Sequence, residues 1–185
     1  MPLEPPDQQH WQAAVGYVEL GMFQEANDQL ENIDPFNRAA PEVLAVRIAV
    51  YQGLKKWELM REVAKRLAEF QPNDIQWTVS LAYATRRADS IQGAKQILLN
   101  AESRFPKEAI IKYNLACYCC QLGEIEKAKT YLKKALFPLV NRNHFKFLVL
   151  LALKLHMLFQ GSIENDFLEV CQYHFLSSAR RARLR

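Results

Sequence analysis

Tyr113-Asn114-Leu115-Ala116, Gly123-Glu124-Ile125-Glu126-Lys127-Ala128 and Tyr131-Leu132-Lys133-Lys134-Ala135-Leu136 lie in one stretch whose residues have counterparts upstream. Stepping back from Ala128 by 34 residues at a time reaches Ala94, Met60 and Ala26. The same step joins Ala116 to Ala82, Ile48 and Ala14, and Ile125 to Ile91, Trp57 and Phe23. It also joins Leu132 to Leu98, Ala64 and Leu30. Four series in one frame without a gap identify a repeat array, and a period near 34 is that of a helix-turn-helix solenoid. One such unit cannot bury its apolar face alone, so neighbours must stack. The stacked surfaces bind partners along their length.

The period predicts eight helices, near residues 8–20, 23–33, 41–53, 57–70, 75–87, 91–103, 109–121 and 125–136. Alternating strand patterns are absent. Asp7 stands where an N-cap is expected. Gly21 and Gly123 mark turns inside repeats, where positive φ costs glycine little. Pro41 suits a first helical turn, and Gly53 is placed to end its helix. Asp34-Pro35, Gln71-Pro72 and Phe105-Pro106 punctuate the array, because the residue before proline avoids helical geometry.

Over residues 7–142 these motifs resemble the tetratricopeptide repeat, with repeats at 7–40, 41–74, 75–108 and 109–142. The resemblance implies an all-α, right-handed α-α superhelix of about four helix-turn-helix repeats, followed by C-terminal capping helices. Pro72 and Pro106 match the family's closing proline. Met60 replaces a small residue and Ala64 a larger one, a pair of swaps that conserves core volume. Arg47 occupies a position that normally faces the core, and Thr85 and Arg86 make the third repeat the most divergent.

In the family the first helix of each repeat lines the concave face. Mapped position by position, the resemblance implies exposed groove residues at Trp11, Val15, Val79, Tyr83, Arg86, Arg87, Tyr113 and Asn114. The two-carboxylate clamp of chaperone-docking members is not reproduced: Asn114, Arg86 and Arg87 have suitable side chains but not the right positions. The groove instead suits a peptide or protein segment anchored by apolar side chains, with an acidic group at Arg86 and Arg87. The expected function is therefore non-catalytic scaffolding through protein–protein contact.

No nucleophile constellation, glycine-rich phosphate loop or paired histidine motif is visible, so neither enzyme activity nor a cofactor is expected. Cys117 and Cys120 share a helix face and could ligate a metal with Cys171, His144 or His174. A zinc CxxC normally sits in a turn, so packing as small hydrophobes is the preferred reading and no metal is expected. The net charge is +4, and Arg180, Arg181, Arg183 and Arg185 equal that excess. The body is then near neutral, which argues against a general nucleic-acid binder. Residues 1–6 are read as a disordered tail, too polar for a signal peptide, which makes the cytoplasm the expected compartment.

Residues 143–177 differ from the repeats, and 178–185 form a basic tail. Phe145 to Phe159 is broken only by Lys146, Lys154 and His156, and Leu150, Leu153 and Met157 share a face. Three readings stay open for this helix. It is buried in cis against the Ile163–Ser177 segment, it forms a homo-oligomer or partner interface through Leu150, Leu153 and Met157, or it touches a membrane. The last is the least favoured, because its span falls short of the roughly 20 residues that cross a bilayer.

Overall fold

The computed structural model describes residues 3–136. Those residues form eight α-helices and no strand: α1 (Asp7–Glu19), α2 (Phe23–Glu31), α3 (Pro41–Gly53), α4 (Trp57–Phe70), α5 (Ile75–Ala88), α6 (Ile91–Glu102), α7 (Ala109–Gln121) and α8 (Ile125–Leu136). The architecture is the expected all-α helical repeat. The chain falls into two compact units, one ending at Pro106 with α1–α6 and one beginning at Lys107 with α7 and α8. Residues 143–177 and the basic tail 178–185 lie outside the described residues, and so do Leu150, Leu153 and Met157.

The period is written in the backbone as well as in the side chains. Phe23, Trp57, Ile91 and Ile125 are each the first residue of the second helix of a pair. The turn before them is closed by one bond that recurs in every repeat. Met22 N–H donates to Tyr17 O at 2.9 Å, Lys56 to Tyr51 at 2.9 Å, Ser90 to Thr85 at 3.1 Å and Glu124 to Cys119 at 2.8 Å. In three repeats a second bond runs from the preceding residue, Gly21 to Val18, Lys55 to Gln52 and Gly123 to Cys120. The two bonds together are the Schellman ending, which needs a left-handed residue. Gly21 and Gly123 supply φ of 75°, and Lys55 takes φ of 56° with a side chain attached. The third repeat departs: Asp89 has φ of −138°, and the Ser90 hydroxyl caps α6 by accepting from Gly93 N–H at 3.1 Å.

Within the first unit, α2 packs on α1 and α3, α4 on α3 and α5, and α5 on α6. One core cluster joins Ala14, Val18, Ala26, Leu30 and Ile33 to Val43, Val46 and Val50. A second joins Leu44 and Ile48 to Met60, Ala64, Leu67, Trp77, Tyr83 and Ala84. Met60 and Ala64 are both fully buried in this cluster, so the large residue and the small one share one volume. In the second unit α7 packs on α8, burying Leu115, Ala116, Cys119 and Ala128. Each fully buried valine or leucine of this kind stabilises by about 1.5–3 kcal/mol.

Three local expectations are corrected. Residues 1–6 are not wholly a disordered tail, because Leu3 packs against the first cluster. Asp7 is not an N-cap. It is the first residue of α1, and its buried carboxylate accepts from Asp34 N–H at 3.0 Å and from the Asn37 amide at 2.8 Å. It therefore fastens the α2–α3 loop to the start of the chain. Gly53 is the last residue of α3 rather than its terminator, and a Cβ there would collide with the Phe23 ring.

Arg47 is buried as its register implies, and its charge is met. Its Nη1 donates to Glu31 Oε1 at 2.6 Å and to the Tyr51 hydroxyl at 3.3 Å, tying α3 to the end of α2. Burial pushes the Arg47 pKa down, but the bonds to Glu31 and Tyr51 outweigh it and the pKa is raised overall. Glu31 also pairs with Arg38 at 3.0 Å.

Candidate functional site

Four side chains from two helices meet at the α4–α5 junction. Trp57 opens α4, Tyr83 lies in the third turn of α5, and Arg86 and Arg87 fall in its last turn. Cationic side chains there oppose the negative end of the helix dipole. The Trp57 and Tyr83 rings stand edge to face, with centroids 5.8 Å apart and planes at 81°. The Arg87 guanidinium carbon lies 5.3 Å from the Trp57 centroid and 5.6 Å from that of Tyr83. The Arg86 carbon lies 5.7 Å from the Tyr83 centroid. These distances place both cations within reach of the negative face of an aromatic ring.

The register explains the place. Phe23 and Trp57 are equivalent, and so are Gly53 and Arg87. Where the first two repeats meet, the Phe23 ring occupies the space that a side chain on Gly53 would need. Where the second and third meet, Trp57 carries the guanidinium of Arg87. One geometric position thus closes an apolar joint in one repeat and builds a basic aromatic cluster in the next.

The structure brings Tyr83, Arg86 and Arg87 together, as sequence reading grouped them, but it corrects how they are presented. Val79, Tyr83 and Asn114 were expected as exposed groove positions and are only 3%, 2% and 6% exposed. Val79 and Tyr83 sit on α5, which packs against both α4 and α6, so more of its circumference is covered than one stripe. Asn114 turns its amide back along α7 and donates to Ile110 O at 2.9 Å. Arg86, Arg87, Trp11, Val15 and Tyr113 are half-buried. Trp11 spends its indole N–H on Glu42 O at 3.1 Å, linking α1 to α3, and Val15 packs on the first core cluster. Tyr113 and Asn114 belong to α7 in the second unit.

Trp57 is the member that sequence reading missed as a site residue. Its register with Phe23 points only to apolar packing. The available signal was Arg87 in the register of Gly53, facing that series.

Cys117 and Cys119 are buried and Cys120 is half-buried, with burial pushing its thiol pKa up. Among the described residues no group of three or more potential metal ligands converges, and no helix is long and apolar enough to cross a membrane.

Solved structures share this fold. The segment of MamA from residue 41 to its end, from Desulfovibrio magneticus RS-1, superposes with a TM-score of 0.63 at 15% identity, over 88% of this chain and 100% of that one. MamA of MSR-1 gives 0.61 at 21% identity, over 70% and 74%. PilW, a widely conserved type IV pilus biogenesis factor, gives 0.59 at 17% identity, over 74% and 63%. These are tetratricopeptide-repeat proteins, and the chain has their fold. No protein-family model and no curated protein sequence matches the chain.

Proposed function

We propose that the chain is a non-catalytic protein-interaction scaffold that holds a peptide or protein segment against the first helices of its repeats. The observation that supports this most is the clustering of Trp57, Tyr83, Arg86 and Arg87 at the α4–α5 junction. Aromatic residues and arginine are the types enriched where partners bind tightly, because they combine apolar area with directional polar contact. Val15 and Trp11 would extend the surface along α1. The likeness in fold to PilW, described as a pilus biogenesis factor, fits a role in assembly rather than in turnover.

Selection of the full chain against a displayed library of twelve-residue peptides tests this reading. The expected result is a set of clones that bind saturably with Kd in the micromolar range, about −8 kcal/mol. A library that yields nothing above an unrelated helical-repeat control would overturn it.

A further inference from the structure

We infer that a second copy of this chain docks head to tail on the first repeat, its basic α8 lying against the acidic, partly apolar α1–α2 turn. The inference goes beyond the scaffold reading and does not rest on it.

Charge is segregated among the second helices of the pairs. α2 carries Glu25, Asp28 and Glu31 and no lysine or arginine. α4 sets three acids against three bases, and α6 one against one. α8 carries Lys127, Lys129, Lys133 and Lys134 against Glu126 alone. Glu25 and Lys127 hold the same register position three repeats apart, and so do Glu31 and Lys133. Like charges one turn apart on a helix repel, and α2 has no cation of its own to offset them. Glu31 is answered by Arg38 and Arg47. Asp28 accepts from the neutral Gln24 amide at 2.9 Å. Among the described residues Glu19 and Glu25 meet no cation.

An apolar contact lies inside the acidic surface. Leu20 is 74% exposed and Met22 39%, between Glu19 and Glu25 in the chain. One repeat on, Leu54 holds the register of Leu20 and packs on the core cluster shared with the repeat before it. Gln9 and Gln12 take the register of Val43 and Val46, which are buried in that cluster, and both glutamines are exposed. The leading edge of the first repeat is thus polar at two positions where α3 is apolar, yet it keeps the leucine. Such an edge suits a cover held by charge around a small apolar contact, and not a further layer of core.

α8 presents the matching surface. Its four lysines are exposed. Lys127, Tyr131 and Lys134 recur at i, i+4 and i+7, so an aromatic ring stands between two cations on one stripe. The Lys134 ammonium lies 5.3 Å from the Tyr131 centroid. Lys127 pairs with Glu124 at 3.1 Å and Lys129 with Glu126 at 2.8 Å. Exposed pairs of this kind contribute little, so exchanging their carboxylates for those of another copy costs little. Glu25 and Asp28 supply the replacements, while Leu20 and Met22 meet the tyrosine stripe. The contact joins two different surfaces, so it propagates as an open chain or closes as a ring.

The test is sedimentation velocity on the full chain over a range of concentrations. At about 0.01 M ionic strength, where charges act over about 30 Å, the mass is expected to rise above that of the monomer with concentration. At about 1 M salt, where that reach falls to about 3 Å, it should return to the monomer. Glu25→Lys with Asp28→Lys should hold the chain monomeric, and so should Lys127→Glu with Lys134→Glu. An equal mixture of the two variants should associate although neither does alone, because each offers the charge the other lacks. Glu58→Lys with Glu62→Lys changes net charge by the same amount on α4 and should leave association intact. Leu20→Ser should raise the concentration needed by about tenfold. A monomer at every concentration in dilute buffer would overturn the inference, and so would association that ignores salt, the mark of an apolar contact. Failure of the mixed variants to associate, or equal loss in the α4 variant, would overturn the pairing of α2 with α8. The salt and concentration dependence is read on the unaltered chain, so it decides the matter even if a variant fails to fold. No peptide is involved, so the scaffold reading stands or falls separately on the library selection.

Discussion

Asp7 shows how much one side chain can organise. Hydrogen bonds from Asn37 and then Asp34 hold its pKa below the ordinary aspartate value, against the opposing effect of burial. The bond from Arg47 does the same for Glu31. A depressed carboxylate pKa contributes stability that is present above the unfolded value of about 3.9 for Asp and 4.3 for Glu. That stability is lost as pH falls through the folded value. Asp7→Asn should therefore melt below the native chain at pH 7, with the gap closing as pH falls past the ordinary aspartate value of about 3.9 and through the lower folded one. Thermal melts across that range would show it, and a gap independent of pH would assign the loss to shape and not to charge. The turn residues offer a paired test. Lys55→Gly removes a side chain from a left-handed position and should stabilise by about 0.5–1 kcal/mol. Gly53→Ala drives a methyl group into the Phe23 ring and should destabilise by about 1–3 kcal/mol. Urea titrations of the two variants should move in opposite directions.

At the scale of the helix, the recurrent small residue decides how closely the two members of a pair approach. Ala26, Ala94 and Ala128 are all buried, and Met60 is buried at the same register. Ala128→Leu should overpack the α7–α8 contact and cost about 1–3 kcal/mol. A variant that unfolds at the native urea concentration would place Ala128 outside the packed face. Helix positions were readable in advance because the period repeats in backbone bonds as well as in apolar side chains. The expected starts at Phe23, Trp57, Ile91 and Ile125 coincide with the observed ones. The burial of Val79 and Tyr83 was not readable in the same way. A periodic pattern marks the apolar face of a helix, whereas the number of neighbours around it comes from packing.

At the scale of the whole chain, repeats interact with their neighbours, so stability is close to a sum of local terms. α2 packs on α1 and α3, while α8 packs on α7. The costs of Ala26→Leu and Ala128→Leu should therefore add in the double variant to within about 0.5 kcal/mol. Urea unfolding of both single variants and the double would measure this. A coupling well above that figure would mean that the two helices share an element both depend on.

The 34-residue register, carried by Ala14, Ala26, Leu30 and their successors, was enough to specify the helix-turn-helix repeat. Burying one small or apolar residue per turn of the array is a local demand that each repeat states in the same letters. Glycine at Gly21 and Gly123 likewise announced its left-handed turn. The third dimension decided what register could not. It buried Tyr83 and Asn114, set Asp7 against a loop far along the chain, and brought Trp57 to Arg87 across two helices. Those outcomes depend on how many surfaces converge on a side chain, a quantity that exists only once the helices have packed.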